Sequence, residues 1–140
     1  MTQQQVRPKP LPTADFDTEP FWTALRAHEL KLQRCADCKQ AYFYPRILCP
    51  SCWSENVHWE QMSGKGEVYT YTVVHRAPHP AFGEDVPYVV AVVQLDEGPR
   101  LPVNIVEWDE ASLAVGARVE VVFEDVNDSV TLARFRPVKG

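Results

Sequence analysis

Cys35, Cys38, Cys49 and Cys52 are all the cysteines of this 140-residue chain. They form two Cys-x2-Cys pairs, Cys35-Ala-Asp-Cys38 and Cys49-Pro-Ser-Cys52, separated by ten residues. A tight turn carrying Cys-x2-Cys aims two sulfurs at one point. Two such turns brought together by a hairpin offer four thiolates in a tetrahedral set, the arrangement of a closed structural Zn²⁺ site. Four protein ligands leave no position for water or substrate, so the metal is expected to be structural and not catalytic. A tetrahedral S4 set also suits iron, which stands second to zinc. Two disulfides would use the same residues, but that pattern belongs to exported chains. Met1-Thr-Gln-Gln-Gln5 opens without the basic, apolar and cleavable stretches of a signal peptide. A redox Cys-x-x-Cys asks for one pair beside a βαβ pattern, not two pairs on a hairpin. Reduced thiols without an export signal place the chain, as an expectation, in the cytoplasm.

Nothing else reads as a reaction centre. The four histidines, His28, His58, His75 and His79, have no Ser, Cys or Asp at a spacing that suggests a triad. Gly64-Lys-Gly66 is too short for a phosphate-cradling loop. No catalytic residue is therefore expected. The net charge of −5 and pI near 5.3 speak against a protein that lives by neutralising nucleic acid phosphates. The charge is uneven: 7 Lys+Arg face 12 Asp+Glu from residue 65 onward, against 4 and 2 between Glu29 and Cys52. An anion-binding patch, if present, belongs on the cysteine-bearing unit, near Lys31, Arg34, Lys39 and Arg46. No apolar run is long enough to span a membrane.

The elements that must position these residues follow from pattern. Residues 1–17, with Arg7-Pro-Lys-Pro-Leu-Pro12, read as an extended arm. A helix starts near Asp15, capped by Asp17 or Thr18, with Glu19 and Pro20 in its first turn. Phe21, Trp22 and Leu25 give it a large apolar face for its length, so it must pack on its own domain or offer Phe21 and Trp22 to a partner. Leu30 and Leu32 lead a strand into the first knuckle, Ala41–Tyr44 returns from it, and Val57–Trp59 leaves the second. A unit of about forty residues is too small for a self-sufficient core, so the metal holds it. Gly64 and Gly66 mark a boundary between 18–62 and 63–140. Beyond it come strands at Glu67–His75, Tyr88–Leu95, Arg100–Val106, Arg118–Phe123 and Val130–Phe135. The second is nearly all apolar, as for a strand buried on both faces. Pro102 puts the third at an edge or bulge, and Glu107–Val115 reads as a short helix ended by Gly116. Five strands with a helical insert after the third is the order of a Greek-key OB barrel. Its first loop, His75–Pro87, is stiffened by Pro78, Pro80 and Pro87 and tipped by Phe82. His75, His79 and Phe82 are candidates for docking a partner or covering a ligand.

Taken in order, several pieces resemble one family: Phe21-Trp22, Leu30-Lys-Leu-Gln-Arg-Cys35-Ala-Asp-Cys38, Tyr44-Pro-Arg46, Cys49-Pro-Ser-Cys52, Trp59, Ser63-Gly-Lys-Gly66, Pro87-Tyr88 and Leu95-Asp-Glu-Gly98. It is the acyl-CoA-associated family of rubredoxin-like zinc-ribbon plus OB-fold proteins, and the likeness runs from residue 18 to 136. The fold it implies is mainly β: an N-terminal helix, a rubredoxin-like zinc ribbon and a five-stranded OB barrel. Members resemble small partners of thiolase-superfamily enzymes. Some accompany acetoacetyl-CoA thiolase and hydroxymethylglutaryl-CoA synthase, some accompany aldolases that cleave steroid side-chain CoA esters, and some are fused to an enoyl-CoA hydratase subunit. The resemblance implies a non-catalytic subunit of a hetero-oligomer that helps form its partner's acyl-CoA site, with Lys31, Arg34, Arg46 and Lys65 toward the CoA phosphates. This sequence lacks a fused hydratase segment, so a separate chain is expected. It also departs at Lys39, where glycine is frequent, which touches the ease of the turn and not the ligands. The alternative is a nucleic-acid-binding zinc-ribbon/OB module with Tyr69 and Tyr71 as stacking platforms, against which the acidic barrel argues. An independent CoA-ester hydrolase or lyase would need a nucleophile that the sequence does not offer.

Overall fold

The fold starts from a reciprocal pair of bonds. In the computed structural model, which describes residues 10–138, the Thr18 amide and hydroxyl donate to Asp15 Oδ1 at 2.9 and 3.0 Å, while the Asp15 amide donates to Thr18 Oγ1 at 3.0 Å. Thr18 takes the N-cap position of the helix, one of the two residues expected there, but its side chain makes no cap bond into the helix; it bonds Asp15 instead, whose carboxylate reaches forward to the Thr18 N–H. The Thr18 amide holds that carboxyl below the ordinary aspartate value. Helix α1 follows as Glu19–Arg26, with Pro20 in the first turn where its missing N–H costs nothing. Of the expected arm, residues 1–9 lie outside the described residues, and residues 10–15 carry no regular structure.

Three strands, β1 Lys31–Cys35, β2 Ala41–Tyr42 and β3 Val57–Gln61, form an antiparallel sheet in the order β2-β1-β3. Five more, β4 Lys65–Val74, β5 Tyr88–Leu95, β6 Arg100–Ile105, β7 Arg118–Asp125 and β8 Thr131–Pro137, close a barrel in the order β4-β5-β6-β8-β7. Only β6 and β8 run parallel, at Ile105↔Phe135, which completes the expected OB connectivity. Closure is narrow: β7 pairs with β4 over Lys65–Glu67 alone. Gly66, in the middle of that pairing, leaves no room for a side chain, since a Cβ there would sit 2.4 Å from the Gln94 carbonyl oxygen of β5. Pro102 lies at the end of β6 away from its single pairing with β8, where no ladder bond is lost.

Two expectations change. β5 is not buried on both faces. Val89, Ala91, Val93 and Leu95 point into the barrel, whereas Val90 is 38% exposed. A single closed sheet has one interior, so an unbroken apolar run here leaves apolar side chains outside. The helix expected at 107–115 does not form. Asp109 and Ser112 bond each other's backbone, Glu107 sits at φ +53°, and Gly116 and Ala117 join the backbone of Val68. Local side-chain bonds and the ladder take the backbone groups a helix would need, and Leu113 is buried in the core. Among the described residues the one other helical piece is a 3-10 turn, Pro80–Phe82.

One core joins the halves. Phe21, Leu25, Leu30 and Leu32 pack with Met62 and with barrel residues such as Val68, Val93 and Phe135. His28, at φ +59°, stacks on Phe123 at 5.2 Å and places Nε2 2.9 Å from Asp125 Oδ1. No helix among the described residues is long and apolar enough to cross a membrane.

Candidate functional site

β1 delivers Cys35 to the end of the small sheet, and the chain turns at once. The Lys39 amide donates to the Cys35 carbonyl at 2.9 Å, and the Cys35 amide donates to the Gln40 carbonyl at 2.9 Å. The second knuckle repeats this pattern. The Trp53 amide donates to the Cys49 carbonyl at 2.8 Å, and the Cys49 amide donates to the Ser54 carbonyl at 3.0 Å. Both turns need a left-handed residue just after their second cysteine, Lys39 at φ +66° and Trp53 at φ +65°. Backbone amides face the sulfurs: Cys38 N–H donates to Cys35 Sγ and Ser51 N–H to Cys49 Sγ, both at 3.4 Å. The Ser54 hydroxyl ties the second knuckle to the Asp37 carboxylate of the first.

The four sulfurs lie within 4.8 Å of one another. Cys35–Cys52 and Cys38–Cys49 are each 3.5 Å apart. Tetrahedral coordination with M–S bonds near 2.3 Å requires edges of about 3.8 Å, so the donor set fits a four-coordinate ion. The electrostatics point the same way. Burial raises the Cys49 thiol, but the Cys52 and Ser51 amides outweigh it and bring the group to about 7. The Ser54 amide lowers Cys52, but the neighbouring sulfurs, Cys35 first, push it up to about 12. Sulfurs this close resist full ionisation without a cation, and a coordinated metal removes the conflict by deprotonating its thiols. Cys35 and Cys49 are buried with Tyr42. Burial pushes the Tyr42 phenol up to about 12, and its hydroxyl donates to the Arg46 carbonyl at 3.0 Å. Among the described residues no other His, Cys, Asp and Glu side chains gather this way.

The basic residues separate. Arg34 donates to Glu60 at 2.6 Å and to the Lys39 carbonyl at 2.7 Å, so it braces the first knuckle. Lys65 lies on β4, where its carbonyl accepts from the Asp96 amide. Lys31, 3.5 Å from Glu29, and Arg46 border one groove of about 650 Å³ with Phe16, Ile47 and Trp59. Of the four, the fold brings only Lys31 and Arg46 together. Phe21 is largely buried against Phe43 and Trp22 and, like Trp22, lines an apolar cleft. Half-buried Trp22 borders an apolar cleft of about 230 Å³ beside Tyr44 and Pro102. His75 is exposed. His79 Nδ1 accepts from the Ala81 amide at 3.0 Å. Phe82 is not an outward tip: it turns back on His79 and Tyr88, 6.1 and 6.2 Å away. Sequence reasoning did not single out Phe16, Ile47 and Trp53, which are 87, 63 and 78% exposed. Their one signal is large apolar character beside turn residues.

Residues 22–58 match the family model described as "ChsH2, rubredoxin-like zinc ribbon domain", and residues 59–124 match "ChsH2, C-terminal OB-fold domain". The chain belongs to the ChsH2 zinc-ribbon and OB-fold family. It is 37% identical over 138 residues to a probable enoyl-CoA hydratase alpha subunit of Thermomonospora curvata, covering 96% of this chain and 43% of that protein. The chain thus spans less than half of that relative. It is 40% identical over 114 residues to a DUF35 domain-containing scaffold protein of Methanocaldococcus jannaschii, covering 76% and 80%. The solved structure described as "Ltp2-ChsH2(DUF35) aldolase" superposes with a TM-score of 0.80 at 37% identity, over 91% of this chain and 98% of that one.

Proposed function

We propose that this chain is a non-catalytic subunit, built around a structural Zn²⁺, that docks on a thiolase-superfamily acyl-CoA enzyme and helps form its acyl-CoA site. One observation carries the reading. The chain's gathered ligand set is a closed four-sulfur site, and large apolar side chains stand exposed on and beside the unit it holds, at Phe16, Tyr44, Ile47 and Trp53. Aromatic residues in such positions are favoured at protein interfaces. The names of the similar proteins, an aldolase assembly and a scaffold, support it.

Within this reading Cys35, Cys38, Cys49 and Cys52 hold the ion and freeze the knuckles, and the ion makes no contact with substrate. Lys31 and Arg46 are the basic residues best placed to meet phosphate together, since they border one groove. The acyl part is left to the partner. The nucleic-acid alternative loses a platform, because the Arg100 guanidinium covers the Tyr69 ring at 3.8 Å.

The test is co-production with a thiolase-like acyl-CoA enzyme from the same source. Thioester turnover and solubility of that enzyme should depend on this chain, and the pair should co-purify with zinc. An enzyme indifferent to the chain, or turnover of an acyl-CoA by the isolated zinc-loaded chain, overturns the reading.

A further inference from the structure

Strand β4 outruns its neighbour β7. It pairs with β5 from Gly66 to Val74, but with β7 over Lys65–Glu67 alone. The Val68 amide and carbonyl still find Ala117 and Gly116. A bulge between Val68 and Thr70 then shifts the phase of the strand. On the β5 side, the Leu95 amide bonds Pro99 at the head of β6, whereas the next amide, Asp96, bonds Lys65 of β4. Ladder groups alternate along a strand, so Val92, Val90 and Tyr88 also turn theirs toward β4. Their register partners Thr70, Thr72 and Val74 therefore bond β5. Tyr71 and Val73 turn their amides and carbonyls the other way, and among the described residues nothing pairs with them there. Tyr71 stands opposite buried Ala91 and is still 36% exposed, because the barrel wall stops short beside it.

A bare edge invites another strand, and folded proteins usually guard such edges with charge or proline. Thr70-Tyr-Thr-Val-Val74 has neither. We propose that this edge is a self-association site, where β4 of one chain adds antiparallel to β4 of a second copy with Thr72 on the two-fold axis. In that register Tyr71 exchanges both backbone bonds with Val73 of the second copy, and Val73 does the same with its Tyr71. All four orphan groups of each chain are then satisfied. Thr72 faces its own copy across a non-bonded pair, and Thr70 opposes Val74. Threonine pairs and aromatic–β-branched pairs of this kind stabilise sheets. Centring the pair on Tyr71 instead would set Val73 against the bulged Tyr69. The stretch is thus its own complement, with no charge to select a foreign strand or to repel its copy. The nearest fixed charges, Glu67 and Arg76, fall outside it. Thr72 lies about 23 Å along β4 from Lys65, so the exposed residues of the zinc-holding unit stay free. A contact this short makes the dimer a transient one. The proposal needs no partner enzyme, so its failure leaves the preceding function untouched.

The test is analytical ultracentrifugation of the full zinc-loaded chain at concentrations up to about 1 mM, where weak pairs associate. Its mass should rise from one chain to two. Hydrogen exchange over the same range should show the Tyr71 and Val73 amides gaining protection, with Thr70 and Thr72 unchanged. Thr72 is exposed, so Thr72→Lys and Thr72→Glu keep the fold. Each variant alone should associate about fivefold more weakly than wild type, because like charges then sit directly opposite one another. Mixed in equal amounts, the two variants should recover the wild-type affinity. A wild-type chain that stays monomeric overturns the proposal. So does a dimer that Thr72→Lys leaves intact, a mixture no tighter than either variant alone, or protection that appears elsewhere than at Tyr71 and Val73.

Discussion

Lys39→Gly tests whether backbone strain in the knuckles is real. Lys39 occupies the left-handed region at φ +66°, which costs an L-residue about 1–2 kcal/mol. Glycine removes that cost but gains freedom in the unfolded chain, which returns about 0.4–1 kcal/mol. The net expectation is a stabilisation of about 0.5–1 kcal/mol, or a few degrees in Tm for a chain of this size. The Lys39 side chain is exposed, so little packing is lost, and its carbonyl bond to Arg34 is backbone and survives. Lys39→Ala is the control: it deletes the same side chain and keeps the left-handed demand, so it should fall within about 0.5 kcal/mol of wild type. Thermal unfolding of the zinc-loaded chain, with all three proteins at equal metal content, reads the difference. Glycine no more stable than alanine would refute the strain argument.

Four further outcomes follow. Gly66→Ala should cost several kcal/mol, about 3 or more, by forcing a Cβ against the Gln94 backbone where the barrel closes; denaturant unfolding measures it. Stripping the metal with a chelator, or Cys49→Ser, should strip hydrogen-exchange protection from residues 35–57 while the barrel core around Phe135 stays protected; equal loss in both would contradict a local role for the ion. Below pH 3.8 the acid limb should carry Asp96 and Asp125. Hydrogen bonds from Arg118 and from Thr131, respectively, hold their folded values under the ordinary aspartate value of 3.8. The unfolded chain protonates first as pH falls, so stability present above 3.8 is lost on the way down, and Asp96→Asn should differ from wild type less at pH 3 than at pH 6. Trp53→Ala should leave zinc content unchanged but weaken retention of the partner enzyme in a pull-down by about tenfold; undiminished retention would refute a docking role for Trp53.

The metal centre was legible because its parts are near neighbours. Four thiols within eighteen residues leave chemistry few choices, and Lys39 and Trp53 sit where local turn geometry puts them. Strand identities were legible too, from β-branched runs and the Gly64/Gly66 break, and with them the OB order. The helix after β6 was misread because Asp109, Ser112 and the Val68 backbone compete for the groups a helix would use.

What sequence could not reach was everything set by distant residues arriving together. Whether Val90 faces core or solvent depends on the sheet closing with a single interior. That Lys31 and Arg46 share a groove while Arg34 turns to Glu60 depends on strand register. That Phe21 is core and not surface depends on the barrel packed beneath it. Ligand type and spacing are properties of a short segment, whereas a groove or an exposed face is a property of separate elements brought together, and only tertiary packing selects it.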